Sequence, residues 1–316
     1  MRLTSSHEKL RILLIEDSKG DALLLAKLLN HTLPETHTLT KATSLAAAID
    51  ILCEAQFDVA LLDRSLPDVE GFSGLHTIQN IAPQLPIVYL TAYKDEDTAF
   101  EAIEQGAQDY LFKDAMDGHM VKRAIQYAIL RKQFEGVLIL RANFDMLTGL
   151  ANRTLFESRM EMALARMKRQ GGTLAVLFLD LNQFKQINDR LGHAMGDLLL
   201  QEVGCRIKSV LRPYDTAARM GGDEFALLLE GLPEPHHSEV VAQKIIQRIN
   251  MPFMLSSREY KIGISIGITT CTRDQNFNCE ILVQQADEAM YVAKSSSEST
   301  YRIYDDIASH QQKKMA

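Results

Sequence analysis

The sequence predicts an α/β protein whose N-terminal half is a doubly wound, five-stranded parallel sheet, joined by a long helix to a second domain. Three observations lead to this prediction. The chain has 316 residues, enough for two domains of ordinary size. Apolar runs alternate five times with amphipathic segments in residues 11–132, as in a parallel sheet covered by helices. Two glycines followed by two acids, in residues 221–224, lie between strand-like runs and predict a β-hairpin.

The elements of the first half follow from these apolar runs. Strands are predicted at residues 11–16, 37–41, 58–63, 86–91 and 109–113, and helices at residues 21–33, 45–54, 72–81 and 96–105. Most of these strands show little polar alternation, which is typical of a sheet with both faces buried, whereas residues 37–41 give a weaker signal.

Residues 117–143 predict one long connecting helix, in which Gly136 is the only weak point. Its first half packs on the sheet as the fifth helix of the domain. Beyond Arg131, apolar side chains such as Phe134 and Leu138 continue at a spacing of three to four residues. We therefore expect this part of the helix to pair with a second copy of the chain.

Polar side chains stand at the predicted carboxyl ends of the strands, where ligands bind in doubly wound sheets. They are Glu16, Asp17, Asp63, Thr91 and Lys113. Three carboxylates on one edge repel one another unless a cation lies between them, and carboxylate oxygens suit Mg²⁺. One carboxylate can then act as a nucleophile toward a phosphoryl group, whose charge the metal, the hydroxyl and the ammonium stabilise.

On these five positions, residues 9–130 resemble a response-regulator receiver domain. The resemblance implies that Asp63 is the phosphoacceptor and that a sensor histidine kinase is the phosphodonor. It also implies that Glu16, Asp17, Asp63 and the Ser65 carbonyl hold Mg²⁺, and that Thr91 and Lys113 act in the switch. Tyr110 stands where the family carries its switch aromatic, although a half-buried strand tyrosine is an equally good interpretation.

The second half of the chain carries a second group of acids that could bind a metal ion. A buried strand predicted at residues 174–180 ends in Asp180, and the hairpin presents Asp223 and Glu224. Asp180 and Glu224 can hold a metal while Asp223 accepts a proton. Gly221 and Gly222 let a ligand approach the backbone. Asn188 and Asp197 offer donors and acceptors that match the edge of a guanine.

Residues 144–306 resemble the GGDEF domain of diguanylate cyclases, with residues 307–316 as a C-terminal tail. The resemblance implies a ferredoxin-like α+β palm that condenses two GTP molecules to cyclic di-GMP and pyrophosphate, with Mg²⁺ or Mn²⁺ as cofactor. It implies metal ligation by Asp180, the Leu181 carbonyl and Glu224, with Asp223 helping to deprotonate the attacking hydroxyl. The resemblance also implies that Asn188 and Asp197 bind the guanine. The triphosphate would be bound by the backbone amides near Phe184 and Lys185 and by the side chains of Lys185 and Lys294.

The same resemblance makes Arg212 and Asp215 an inhibitory site for the product, whose two-fold symmetry suggests a homodimer formed through the connecting helix and the receiver. Two departures stand out. Asn182 replaces a more usual acid, and residues 297–299, Ser-Glu-Ser, replace a Gly-Arg-Asn triplet whose arginine contacts the substrate phosphates. We expect Glu298 to turn outward, with Lys294 serving alone and Arg302 as a less suitable substitute.

Composition narrows the class of protein. The net charge of −7 argues against a nucleic-acid-binding surface, and no apolar run is long enough to cross a bilayer, so we expect a cytoplasmic protein. A phosphorylation-controlled cyclase is the favoured function. A non-catalytic sensor that binds GTP or cyclic di-GMP is the main alternative, because of Glu298. A cyclase with a different product range is a third, because only two side chains would recognise guanine.

Overall fold

The computed structural model of the chain describes residues 9–91, 96–255, 258–273, 275, 277–296 and 298–308. It divides into two compact units, Met1–Leu138 and Ile139–Ala316. The division falls inside the connecting helix. Ser297 and residues 309–316 of the C-terminal tail lie outside the described residues.

In its described residues, the N-terminal unit is a five-stranded parallel sheet in the order β2-β1-β3-β4-β5, with a helix in every crossover. Its strands are β1 (Leu10–Ile15), β2 (His37–Ala42), β3 (Val59–Asp63), β4 (Ile87–Thr91) and β5 (Asp109–Phe112). Its helices are α1 (Lys19–Thr32), α2 (Leu45–Glu54), α3 (Ser73–Ile81), α4 (Glu96–Glu104) and α5 (Gly118–Asn143). The doubly wound fold is thus confirmed, and its direction of winding reverses between β1 and β3.

Burial explains which strands give clear sequence signals. Every residue of β3 and β4 is buried, so both strands are nearly continuous apolar runs. In the edge strand β2, only Ala42 is buried, which is why its signal is weaker. Ser18 and Ser44 cap α1 and α2 by accepting hydrogen bonds from backbone N–H groups in the first turn of each helix.

The predicted connecting helix is α5, which spans 26 residues. Its buried side chains fall in the first half, up to Ala128. Further along, large apolar side chains are exposed, among them Phe134 at 59% and Leu138 at 64%. Among the described residues, no helix combines the length and apolar character that crossing a membrane requires.

The C-terminal unit is an α+β domain, as expected. Its described strands β6 (Thr173–Asn182), β7 (Thr216–Gly221), β8 (Glu224–Leu232), β11 (Gly263–Thr272) and β12 (Thr300–Ile303) form a sheet in the order β12-β11-β6-β8-β7. A separate hairpin pairs β9 (Phe253–Leu255) with β10 (Arg258–Tyr260). The helices are α6 (Arg153–Gln170), α7 (Phe184–Leu191), α8 (His193–Val210), α9 (His237–Asn250) and α10 (Cys279–Lys294).

The central strand β6 places its side chains alternately on two cores. Leu177 and Leu179 pack with residues of α8 and α9, whereas Val176 and Phe178 pack with residues of α6 and α10. On the second face, a Cβ at Gly267 of β11 would collide with the backbone of α10 at Ala286. The missing side chain therefore lets α10 lie directly against β11.

The hairpin between β7 and β8 differs by one residue from the prediction. Gly221 pairs with Glu224, so the two-residue turn consists of Gly222 and Asp223 rather than the two glycines. The pairing of β7 with β8 continues to Gly221, two residues beyond the predicted end of the strand at Arg219. A shift in register between Arg219 and Gly221 makes this possible. Both glycines still have positive φ, +147° and +53°, which glycine tolerates best.

Candidate functional site

Three carboxylates meet at the switch point of the N-terminal sheet. Glu16 and Asp17 follow β1, Asp63 ends β3, and one ligand oxygen from each lies within 4.8 Å of the others. Glu16 and Asp63 are buried, while Asp17 is exposed. Because close carboxylates repel one another and oxygen ligands suit hard cations, this arrangement fits a Mg²⁺ ion.

Lys113, which follows β5, binds the same acids. Its Nζ lies 2.7 Å from Glu16 Oε2 and 2.8 Å from Asp63 Oδ1. It also lies 3.2 Å from Asp21 Oδ2 of α1, a contact that the sequence did not predict. Burial lowers the pKa of Lys113, but the hydrogen bonds to Asp63 and Glu16 outweigh it and the pKa is raised. Burial raises the pKa of Glu16 despite its bond with Lys113. The ammonium therefore stays charged among the acids.

Thr91 places a hydroxyl beside this cluster. It ends β4, whose Leu90 pairs with Asp63 of β3. Thr91 Oγ1 is buried and has no hydrogen-bond partner within the described part of the chain. An unpaired buried hydroxyl is unfavourable, so a group bound at Asp63 would give it a partner.

The structure also describes two further predicted residues of this unit, Ser65 and Tyr110. The side chain of Ser65, two positions beyond β3, is exposed. Tyr110 is half-buried on β5, and its ring centroid lies 5.3 Å from that of Phe112 and 6.2 Å from that of Phe100. Tyr110 is thus part of an aromatic cluster, an arrangement compatible with both interpretations of this tyrosine.

A second acidic group lies at the hairpin of the C-terminal unit. Asp180 of β6 pairs in register with Glu224 of β8, and Asp223 occupies the adjoining turn. Lys294, the last residue of α10, places Nζ 2.8 Å from Asp180 Oδ2. Asp180 Oδ1 is buried and has no hydrogen-bond partner among the described residues. A buried, unpaired carboxylate oxygen facing a second acid fits a divalent cation.

The pKa values at this group reflect its concentration of charge. Burial raises the pKa of Asp180, the bond from Lys294 opposes that rise, and the charge of Asp223 adds to it. Burial and the charge of Asp180 also raise the pKa of Glu224. Asp287 of α10 contributes to both shifts and was not anticipated from the sequence. A cation bound here would counter these effects.

The predicted guanine-binding residues lie close together at the junction of α7 and α8. Asn188 Oδ1 is buried and unpaired within the described residues, and a Cβ at Gly196 would collide with it. Asp197 follows Gly196 and is exposed. Phe184 is buried beside Gly196, while Lys185 is exposed at the start of α7. The missing side chain of Gly196 therefore leaves room for the Asn188 amide, whose Oδ1 lies against it.

The residues after Asp180 are fixed by neighbouring strands. Leu181 is buried, and its N–H lies 3.4 Å from the Asp223 carbonyl. Asn182 Oδ1 accepts a hydrogen bond from Ser265 Oγ at 2.8 Å. Asn182 thus contacts β11, and the Leu181 carbonyl belongs to the segment that also carries Asp180.

The chain after Lys294 is tied to neighbouring elements by hydrogen bonds. Glu298 is exposed. Ser299 Oγ donates to Asn250 Oδ1 at 2.6 Å and accepts from Ile264 N at 3.1 Å, which ties the segment to α9 and β11. Arg302 Nη1 binds the Tyr301 carbonyl at 3.0 Å, within its own strand.

Arg212 and Asp215 form a compact turn ahead of β7. The Arg212 N–H donates to Asp215 Oδ2 at 2.9 Å, and Arg212 Nη1 lies 2.9 Å from the Tyr214 hydroxyl. Both Arg212 and Tyr214 are exposed. The guanidinium can therefore be reached by a ligand from solvent.

Comparison with known proteins agrees with this geometry. A family model for the response regulator receiver domain matches residues 12–125, and one for the GGDEF domain of diguanylate cyclases matches residues 142–300. The chain is 39% identical over 195 residues to the bifunctional diguanylate cyclase/cyclic di-GMP phosphodiesterase MucR of Pseudomonas aeruginosa, covering 62% of this chain and 28% of the relative. It is 34% identical over 164 residues to diguanylate cyclase DgcS of Shewanella oneidensis, covering 52% of this chain and 53% of the relative.

The chain thus spans about a quarter to a half of the length of these two curated relatives. Among solved structures, it is similar to the coiled coil and GGDEF domain of DgcB from Caulobacter crescentus, crystallised with c-di-GMP. That similarity has a TM-score of 0.52 at 25% identity and covers 58% of this chain and 97% of the other. The chain belongs to the GGDEF family, and a response regulator receiver domain precedes its GGDEF domain.

Proposed function

We propose that the protein is a diguanylate cyclase that phosphorylation of Asp63 controls. The observation that carries the proposal is the pairing of Asp180 with Glu224 across β6 and β8, with Asp223 in the adjoining turn and Lys294 bonded to Asp180. The names of the relatives MucR and DgcS support the same activity. A protein that only bound nucleotide would not need all these charged groups together.

The proposed reaction joins two GTP molecules. The 3′-oxygen of each forms a bond to the α-phosphorus of the other, the bond to pyrophosphate breaks, and Asp223 accepts the hydroxyl proton. Asp180, Glu224 and the Leu181 carbonyl would hold Mg²⁺ or Mn²⁺, which lowers the pKa of the hydroxyl and neutralises phosphate charge. The ammonium groups of Lys185 and Lys294 balance the negative charge of the triphosphate.

The guanine is bound by Asn188 and Asp197. The unpaired Asn188 Oδ1 accepts from a guanine N–H, as does the Asp197 carboxylate. Glycine at 196 leaves room for the Asn188 amide, which a side chain there would displace. Glu298 is exposed, and the proposal has it turn away from the triphosphate, with Lys294 serving alone.

Two GTP molecules react symmetrically only if two subunits face each other. The helix α5 offers a surface for this pairing, because large apolar side chains are exposed from its middle to near its end. Among them, Tyr127, Leu130, Phe134 and Leu138 are spaced by three to four residues. We propose that they pack against the same helix of a second copy.

Control begins at the receiver. An Asp63 oxygen attacks the phosphorus of a phosphohistidine on a sensor kinase, and the phosphorus–nitrogen bond breaks. Lys113 and Thr91 then stabilise the phosphoryl oxygens. Glu16, Asp17, Asp63 and the Ser65 carbonyl would hold a Mg²⁺ ion, which would neutralise part of the phosphoryl charge. The new charge redirects Lys113 from its present partners, and such a rearrangement can bias pairing through α5.

Incubation of the full chain with GTP and Mg²⁺, with and without acetyl phosphate, tests the proposal. We expect chromatography to show cyclic di-GMP, at a higher rate after phosphorylation, and no product from Glu224→Gln. GTP that is bound but not consumed would favour the sensor alternative. A different cyclic product would favour the third alternative.

A further inference from the structure

The guanidinium of Arg219 joins the hairpin turn to the segment that follows α5. Arg219 Nε and Nη2 both donate to the Gly222 carbonyl, at 3.0 and 2.8 Å. Arg219 Nη1 lies 3.2 Å from Asp145 Oδ2 and 3.3 Å from Asp145 Oδ1. The two side chains are only 14% and 22% exposed. One planar group thus holds two separate parts of the chain.

On the hairpin side, the contact acts on the peptide bond directly before Asp223. The Gly222 carbonyl belongs to the same planar unit as the Asp223 N–H, so two donors on that oxygen fix its orientation. Gly222 has φ of +53°, and a Cβ there would meet nothing within 4 Å. Glycine serves the backbone conformation, and Arg219 supplies the restraint that a flexible glycine turn lacks.

On the other side, Asp145 is held in a turn of its own. Asp145 Oδ1 accepts hydrogen bonds from Thr148 N at 2.8 Å and Thr148 Oγ1 at 2.7 Å. The turn is joined to β7, because Ala151 N donates to the Ala217 carbonyl and Arg219 N donates to the Ala151 carbonyl. Asp145 therefore presents its carboxylate to Arg219 from a rigid support.

The same turn is tied to the end of α5. Asn152 Nδ2 donates to the Ala142 carbonyl at 2.8 Å, and Asn152 N donates to the Asn143 carbonyl at 2.9 Å. Only Phe144 separates the last residue of α5 from Asp145. A continuous set of hydrogen bonds thus runs from the helix end to the hairpin turn.

We propose that Arg219 is a positioning residue for the cyclase reaction. It holds the Gly222–Asp223 turn in the geometry that proton transfer needs, and Asp145 couples that geometry to the end of α5. This inference rests on the proposed function. The role requires arginine, because three N–H groups in one plane engage two acceptors, whereas a lysine ammonium cannot reproduce this fork.

The test uses the full chain and the variants Arg219→Lys, Asp145→Asn and Arg206→Lys. Arg206 is the matched control, since its guanidinium also binds backbone carbonyls, those of Arg248, Met251 and Pro252. The measurements are kcat and KM for GTP, the Kd of 3′-deoxyGTP, which lacks the attacking hydroxyl, and hydrogen exchange at the Asp223 amide.

We expect Arg219→Lys to lower kcat on the order of 10- to 100-fold, the usual effect of a misplaced catalytic group. The Kd of 3′-deoxyGTP should change less than about threefold, and the Asp223 amide should exchange faster. Asp145→Asn should give a smaller loss of kcat, and the double variant should be no worse than Arg219→Lys alone, because both act through one contact.

An Arg219→Lys variant with the parent's kcat, or with a loss no larger than that of Arg206→Lys, would overturn the inference. Failure of the proposed function is distinct, since the parent itself would then make no cyclic di-GMP. The exchange rate of the Asp223 amide decides in that case: an unchanged rate in Arg219→Lys refutes the restraint, and a faster rate supports it.

Discussion

Lys294 Nζ lies 2.8 Å from Asp180 Oδ2, although the two residues are 114 positions apart in the chain. The hydrogen bond with Asp180 raises the pKa of Lys294, so the amine stays protonated. Only one oxygen of Asp180 is occupied in this way. The other oxygen is a buried acceptor without a partner in the described part of the chain. Asp180 can therefore keep its lysine and bind a cation at the same time.

Replacement of Lys294 tests whether this amine acts on the substrate. We expect Lys294→Ala to lower kcat/KM for GTP on the order of 100-fold, because it removes a charge from the triphosphate. The exposed Lys244 of α9 provides a control, and Lys244→Ala should leave the rate unchanged. Equal rates for both variants would show that Lys294 has only a structural role.

Replacement of Asp63 tests control by phosphorylation. We expect Asp63→Asn to keep its basal rate and to lose all stimulation by acetyl phosphate, since an amide cannot accept the phosphoryl group. Cyclic di-GMP formation at low protein concentration, with phosphate incorporation measured in parallel, gives the result. Asp50→Asn, an exposed position on α2, is the control. A variant at position 63 that still responds like the parent would contradict the assignment.

Product inhibition should depend on Arg212. Its exposed guanidinium can stack on guanine and bind phosphate. We expect Arg212→Ala to raise the inhibition constant for cyclic di-GMP at least about tenfold, equivalent to roughly 1.4 kcal/mol of binding. Initial rates with added product measure this, with Arg258→Ala of β10 as control. Unchanged inhibition would assign the product to another site.

Self-association should depend on the apolar side chains of α5. A charge in a helix–helix contact is unfavourable, so we expect Phe134→Glu and Leu138→Glu to weaken the dimer at least about tenfold. Sedimentation over a range of protein concentrations measures the change. Gln133→Glu adds the same charge at a neighbouring polar position. If all three variants dimerise like the parent, α5 is not the contact.

The ion pair of Asp145 predicts a specific pH dependence. Burial raises the pKa of Asp145, but the bonds from Thr148 and the charge of Arg219 outweigh it and hold the pKa below its usual range. A carboxyl of this kind stabilises the fold above its unfolded pKa and loses that contribution as the pH falls through its folded pKa.

We therefore expect Asp145→Asn to lower the unfolding midpoint by about 2–4 °C at neutral pH, for a loss of about 1 kcal/mol. The difference should shrink as the pH falls below the ordinary aspartate pKa of about 3.9. Thermal unfolding of parent and variant across this range measures it. A difference that is the same at every pH would mean that Asp145 acts through packing rather than charge.

The main outline of the fold followed from the sequence because apolar runs report burial directly. The fully buried strands β3 and β4 were predicted within one residue, and the rule for parallel sheets placed Asp63 at the end of β3 together with Glu16 and Asp17 after β1. The pairing of Asp180 with Glu224 was expected from an acid that faces the hairpin, although β6 continues two residues past Asp180, to Asn182, rather than ending there.

Side-chain contacts between residues far apart in the chain could not be predicted from the sequence in this way. Nothing in the periodicity indicates that Arg219 turns back to Gly222 or reaches Asp145. The position of the hairpin turn was missed because a register shift between Arg219 and Gly221 cannot be seen in residue types alone. The exposed Asp287 also gave no signal, since its proximity to the acids depends on how α10 lies on the sheet.

The close contact at Gly267 gives that packing a chemical consequence. Even one methyl group at this position would force α10 and β11 apart, and Lys294 at the end of α10 would move with the helix. The distance between the Lys294 amine and the Asp180 carboxylate thus depends on the missing side chain of a glycine on the neighbouring strand. An alanine there would weaken the proposed reaction while leaving every charged group of the site chemically intact.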